Sequence, residues 1–265
     1  MKLGCCLNMN AEDAYKTGAG AVPLIAELGY DYAELPLAQV MDMPENDFKD
    51  MTSRIKDSGI SVEACNNFFP QRIRLTGEEA NLEKALDYAE AACSRASAMG
   101  VKIIVLGSSG AKNIPPGFPY EKARKQLLIL ISRLDVLVKP LGITVVMEPL
   151  NRQESNFITT AAEGLTLVRE ASLDNIKLLV DYYHLRMEDE SPAVIEDAGP
   201  DLRHIHIAAK TGRVFPAPDD GEDYAGFFGV LRKAGYTARV SVEAYSKNLR
   251  ADAACSRDLL RGLMG

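Results

Sequence analysis

Eight short apolar runs recur along this chain with helical stretches between them, and that alternation constrains its fold more than any other feature. The runs are Lys2 to Leu7, Tyr30 to Leu35, Ile60 to Ala64, Val101 to Leu106, Gly142 to Glu148, Ile176 to Asp181, His204 to Ala208 and Arg239 to Glu243. Near-continuous β-branched or leucine-rich runs that end in polar residues read as parallel strands buried on both faces. Before Val101, residues Leu82, Ala85, Leu86, Ala89, Cys93 and Ala96 fall at helical spacing and Gly100 follows as a C-cap. Thr160-Ala161-Ala162-Glu163 has capping-box spacing ahead of Leu165, Leu167, Val168 and Ala171. Eight such units, with no Pro/Ser-rich linker, low-complexity tract or shift in composition, predict an α/β fold. The expected form is a closed (β/α)8 TIM barrel spanning residues 1–265 as one domain, with an open doubly wound sheet as the alternative.

The chain has 265 residues, 47% of them hydrophobic, which suffices for one substantial core. A net charge of −7 and a pI near 5.2 argue against wrapping nucleic acid or lying on anionic lipid, both of which need a basic surface. A small or neutral partner is expected instead. Cys5, Cys6, Cys65, Cys93 and Cys255 are an odd set without CxxC spacing, so neither a disulfide framework nor a zinc knuckle is expected. No apolar stretch approaches the ~18 residues of a membrane span, and a cytoplasmic protein is the expectation.

In such a barrel the chemistry gathers at the C-terminal ends of the strands. Glu148, Asp181, His206 and Glu243 stand at that edge of four successive runs, spaced 33, 25 and 37 residues apart, each interval about one strand-plus-helix unit of roughly 30 residues. Singly, Glu148 before Pro149 could cap a loop, and Asp181 could serve as an N-cap. Together, three carboxylates and an imidazole suit a divalent cation, Mn²⁺ best, with Mg²⁺, Co²⁺ or Zn²⁺ as alternatives. Period-two alternation puts His204 and His206 on one strand face, with His204 one layer below as a hydrogen-bonded support. A loop or first helical turn after Asp181 would bring His184 back over the site. Gly107 to Asn113 reads as an ordinary flexible loop, lacking the spacing of a phosphate-binding loop. Asn66 to Phe69 reads as an amide and apolar wall of the mouth, with packing the commoner role for Phe.

The segments Met147 to Asn156 (MEPLNRQESN), Val180 to His184 (VDYYH), His204 to His206 (HIH) and Val242-Glu243 resemble the sugar isomerase/epimerase superfamily with a xylose-isomerase-like TIM barrel. The likeness is greatest to D-tagatose/D-psicose 3-epimerase-like proteins. It runs from about Val101 to the end of the chain. The resemblance implies metal ligands at Glu148, Asp181, His206 and Glu243, and substrate-holding residues at Glu154, His184 and Arg213, the last requiring one inserted residue after His206. It implies a divalent-metal-dependent isomerase or epimerase of a ketose, sugar or sugar phosphate, working through a metal-stabilised cis-enediolate with Glu148 and Glu243 as the catalytic acid/base pair. No nucleotide cofactor is expected, and the resemblance allows a homo-oligomer. This chain has no tryptophan, whereas the family carries one near its pocket, so its sugar preference is expected to differ.

Within the same chemistry, a hydroxypyruvate isomerase or an inosose dehydratase would use the same ligands. An apurinic-site endonuclease shares the barrel, but would want more than three histidines and a basic face. A barrel that only binds a ligand is the remaining alternative.

Overall fold

The computed structural model describes all 265 residues. Eight parallel strands pair in sequence order and close on themselves: β1 (Lys2–Cys6), β2 (Tyr32–Pro36), β3 (Ser61–Asn66), β4 (Ile103–Leu106), β5 (Thr144–Met147), β6 (Ile176–Asp181), β7 (Leu202–Ile207) and β8 (Arg239–Val242). Closure is made by β1 against β8, with Lys2 opposite Arg239 and Cys5 opposite Val242. The closed barrel, not the open sheet, is the fold. All eight runs read from the sequence are strands, with ends that agree to within two residues. No helix is long and apolar enough to cross a membrane.

The helices form where the local chemistry places them. Leu82–Ala98 starts at Asn81, whose side chain accepts from the Lys84 amide, and Gly100 follows it at φ +88°, a backbone that favours glycine. Ala161–Ala171 starts at Thr160, whose hydroxyl accepts from the Glu163 amide at 3.1 Å. The return half of the capping box differs from expectation, because Glu163 reaches the Thr159 amide at 2.7 Å instead of that of Thr160. The C-terminal helix, Leu249–Met264, docks on this same chain: Arg257 and Arg261 donate to the carbonyls of Leu28 and Gly29, which covers the first βα unit.

Two irregularities set the phase of the barrel interior. Between β2 and β3 the register skips Glu63, and between β6 and β7 it skips Arg203, each an extra residue of the β-bulge kind. Tyr32 and Glu34 of β2, His204 and His206 of β7, and Ser241 of β8 then all lie buried. Tyr32 packs with Ala64, Ile103, Val105, Val146 and Leu179 to fill the barrel beneath the mouth.

Gly4 makes that filling sterically feasible, since a Cβ there would stand 2.2 Å from Tyr32 Cζ. Gly4→Ala is expected to destabilise the fold by about 3 kcal/mol, the upper end for overpacking a rigid core. Denaturant unfolding measures it, and a variant as stable as wild type would show that the ring moves freely.

Candidate active site

At the C-terminal mouth, Asp181 is the last residue of β6 and His206 the last but one of β7, while Glu148 and Glu243 follow β5 and β8 directly. All four are buried, and one donor atom from each lies within 4.8 Å of the others. His206 Nδ1 is 3.2 Å from Glu148 Oε1 and 3.4 Å from Glu243 Oε2. Asp181 is the N-cap weighed from the sequence: Oδ1 caps the helix Tyr182–Met187 by accepting from the Tyr183 amide at 2.9 Å, which leaves Oδ2 toward the site.

Neighbouring residues hold these groups in place. Gly107 follows β4 directly and leaves room for Glu148, because a Cβ there would lie 2.1 Å from its Oε2. The Glu148 main-chain carbonyl accepts from Lys112 Nζ at 2.9 Å. Lys112 is fully buried in a short helical turn, Ser109–Lys112, so the segment expected to be a flexible loop is a structural support of the mouth. Burial lowers the Lys112 pKa to about 8. Asn66 Nδ2 donates to Glu243 Oε1 at 2.8 Å, while Phe68 and Phe69 beside it are core residues with ring centroids 4.2 Å apart.

The electrostatics follow from crowding. Burial, then the charges of Glu243 and Glu148, push the Asp181 carboxyl up to about 7 against the pull of Arg213 and His206. Burial likewise raises Glu148, with Glu243 adding to the effect. For Glu243, burial is outweighed by Arg213 and His206, and its carboxyl falls below the usual range. His206 is pushed well above the ordinary imidazole value, burial notwithstanding, by Glu34, Cys6 and Glu243. Positive charge is therefore what the cluster needs, and the Arg213 guanidinium supplies part of it. Arg213 Nη2 lies 2.5 Å from Glu243 Oε2 and 3.2 Å from Asp181 Oδ2. Three hard oxygens and one imidazole nitrogen fit a divalent cation.

The three residues expected to hold substrate surround this cluster. His184 is buried, and its Nδ1 accepts from the Asn151 amide at 3.1 Å. That bond fixes the tautomer, so the hydrogen is on Nε2, a nitrogen that has no hydrogen-bond partner and stands 3.5 Å from Asp181 Oδ2. Burial, then Arg213, keeps this ring neutral. Glu154 is at the rim, bound by Asn151 Nδ2 at 3.1 Å and by Arg213 Nη1 at 3.3 Å. Arg213 itself has φ +48° after Gly212, and its guanidinium carbon lies 4.6 Å from the centre of the Tyr183 ring.

Sequence reasoning missed Glu34, Lys112 and Gly107. Glu34 had a legible signal: a carboxylate in the middle of the apolar run Tyr30 to Leu35 is kept in a core only by strong partners. The other two depend on what lies opposite in the barrel.

Residues 22–263 match the family described as "Xylose isomerase-like TIM barrel". The chain belongs to that family. It is 27% identical over 247 residues to the D-psicose 3-epimerase of Agrobacterium fabrum, covering 90% of this chain and 84% of that one. It is 25% identical over 240 residues to the 3-dehydro-D-guloside 4-epimerase of Escherichia coli K12, covering 86% of each. A crystal structure of a D-psicose 3-epimerase in the presence of D-fructose superposes with a TM-score of 0.86 at 21% identity over the whole of both chains, which is a likeness of fold.

Proposed function

We propose that this protein is a divalent-metal-dependent isomerase/epimerase acting on a ketose or a sugar phosphate. The convergence of Glu148, Asp181, His206 and Glu243 within 4.8 Å at the barrel mouth carries this reading. The family membership and the epimerase relatives support it, and Mn²⁺ is the ion the donor set suits best. An ion bound there supplies a Lewis acid that acidifies the C–H beside a ketose carbonyl.

The chain's own residues do the rest. Glu148 and Glu243 flank the site: one carboxylate takes the proton from carbon on one face, and the other returns a proton on the opposite face, which inverts the centre. The free Nε2–H of His184 donates to a substrate oxygen, Arg213 donates to another, and Glu154 accepts from a hydroxyl at the rim. Asp181 mainly holds the ion, with its second oxygen committed to the helix cap. The chemistry moves protons and consumes no oxidant, so it needs no nucleotide cofactor.

Incubation of the Mn²⁺-loaded protein with a panel of ketoses in D₂O, read by NMR, tests this. Deuterium at C3 is expected. Exchange at C1 or C2 alone would replace the 3-epimerase reading with an aldose-ketose or hydroxypyruvate isomerase. Exchange at C4 would align it with the E. coli relative. A metal-loaded protein that exchanges no C–H of any ketose or ketose phosphate would refute the enzymatic reading.

A further inference from the structure

Beneath the four candidate ligands lies a layer of buried polar side chains that the chemistry above does not use. Glu34, in the middle of β2, is fully buried. Its Oε2 accepts from His204 Nε2 at 2.9 Å and from Ser241 Oγ at 2.6 Å, and its Oε1 accepts from His206 Nε2 at 3.0 Å. Because the only hydroxyl hydrogen of Ser241 goes to Glu34, the Tyr32 hydroxyl 2.7 Å away must donate to Ser241. Both imidazole Nε2–H groups and the Ser241 hydroxyl thus point toward one carboxylate, and the Tyr32 hydroxyl points toward Ser241.

We propose that Glu34 is the positioning residue of the metal centre: by accepting the Nε2–H of His206 it fixes that ring with Nδ1 turned toward Glu148, Asp181 and Glu243. The inference rests on the metal-dependent reading above. An imidazole that donates through Nε2 offers its lone pair at Nδ1, and a carboxylate behind the ring both orients it and strengthens it as a ligand. His204 and Ser241 brace the device. With both oxygens of Glu34 engaged by three donors, the carboxylate has no free rotation, and the two rings stand 5.0 Å apart at an interplanar angle of 75°. His204 Nδ1 has no partner, so this ring serves Glu34 through Nε2 alone.

Cys6 adds a competing arrangement. Its Sγ is 3.8 Å from His206 Nε2, and Cys6, Glu34 and His206 bring donor atoms as close as the upper four do. His206 Nε2 cannot both donate to Glu34 and bind an ion. Positioning and a second buried ion therefore exclude each other.

Glu34→Gln decides, because it offers one acceptor and one NH₂ where two imidazole N–H groups need acceptors. Mn²⁺ titration by calorimetry is compared for wild type, Glu34→Gln and Ser241→Ala, the last removing one donor while leaving both histidines held. The expected result is a folded Glu34→Gln with about 10- to 100-fold weaker Mn²⁺ binding and a smaller loss in Ser241→Ala, which loosens the brace but leaves both histidines held. Wild-type affinity in a folded Glu34→Gln overturns the proposal. If that variant does not fold, ¹⁵N-histidine NMR of the Zn²⁺-loaded wild type takes its place. A protonated Nε2 and a metal-bound Nδ1 at His206 support the inference, and the reverse overturns it. Uptake of two Co²⁺ per chain with thiolate charge-transfer absorption also overturns it, by making Glu34 a ligand. Wild type that binds no Mn²⁺ overturns the metal-dependent reading itself, which keeps the two failures apart.

Discussion

Glu148→Gln and Glu243→Gln are each expected to lose about 10²- to 10⁴-fold in turnover, the usual worth of a positioned acid or base, while still binding Mn²⁺. A glutamine oxygen can still coordinate, but it cannot take a proton from carbon. The two variants should differ in stability. Glu243 accepts from Asn66 through Oε1 and from Arg213 through Oε2, so an amide there turns an NH₂ toward one of two donors. Glu148 is held through its main-chain carbonyl by Lys112, a contact that the substitution leaves intact. Deuterium exchange and calorimetric metal titration on the same samples separate lost proton transfer from lost metal. If either variant turned over at close to the wild-type rate, the two-base scheme would be wrong.

Arg213→Met is expected to destabilise the metal-free protein by about 3 kcal/mol, the low end for removing one partner of a buried ion pair. The guanidinium is largely buried, with 11% of its side chain exposed, and it bridges Asp181 and Glu243. Removal leaves two crowded carboxylates whose relief is to take up protons. A divalent ion answers the same need, so saturating Mn²⁺ should recover most of the loss in the variant. Activity should not recover, because the donor to the substrate oxygen is gone. Denaturant unfolding with and without Mn²⁺ measures the first effect and exchange kinetics the second. A loss of stability that Mn²⁺ leaves unchanged would show that Arg213 does not stand in for the cation.

Much of the site was legible because strand ends are a property of local pattern. Asp181 ends an apolar run, His206 is two residues from His204, and helical capping at Thr160 is written within four residues. His184 could be placed over the mouth because one helical turn after Asp181 returns there. Lys112 was not legible in this way. Its segment looks flexible, and only contact with the Glu148 carbonyl, 36 residues on, gives it a buried role.

The sequence by itself determined the eight βα units, the parallel strands and the four acidic or imidazole side chains at their ends. These follow from hydrophobic period and turn chemistry, which act over a few residues. Tertiary structure alone decided which groups share a layer inside the closed barrel. Glu34 meets His204, His206 and Ser241 across strands 170 to 207 residues distant in sequence. Gly4 makes room for Tyr32, and Gly107 makes room for Glu148. Such pairings depend on register and barrel closure, which no local pattern encodes, and they decide which nitrogen of His206 faces the site.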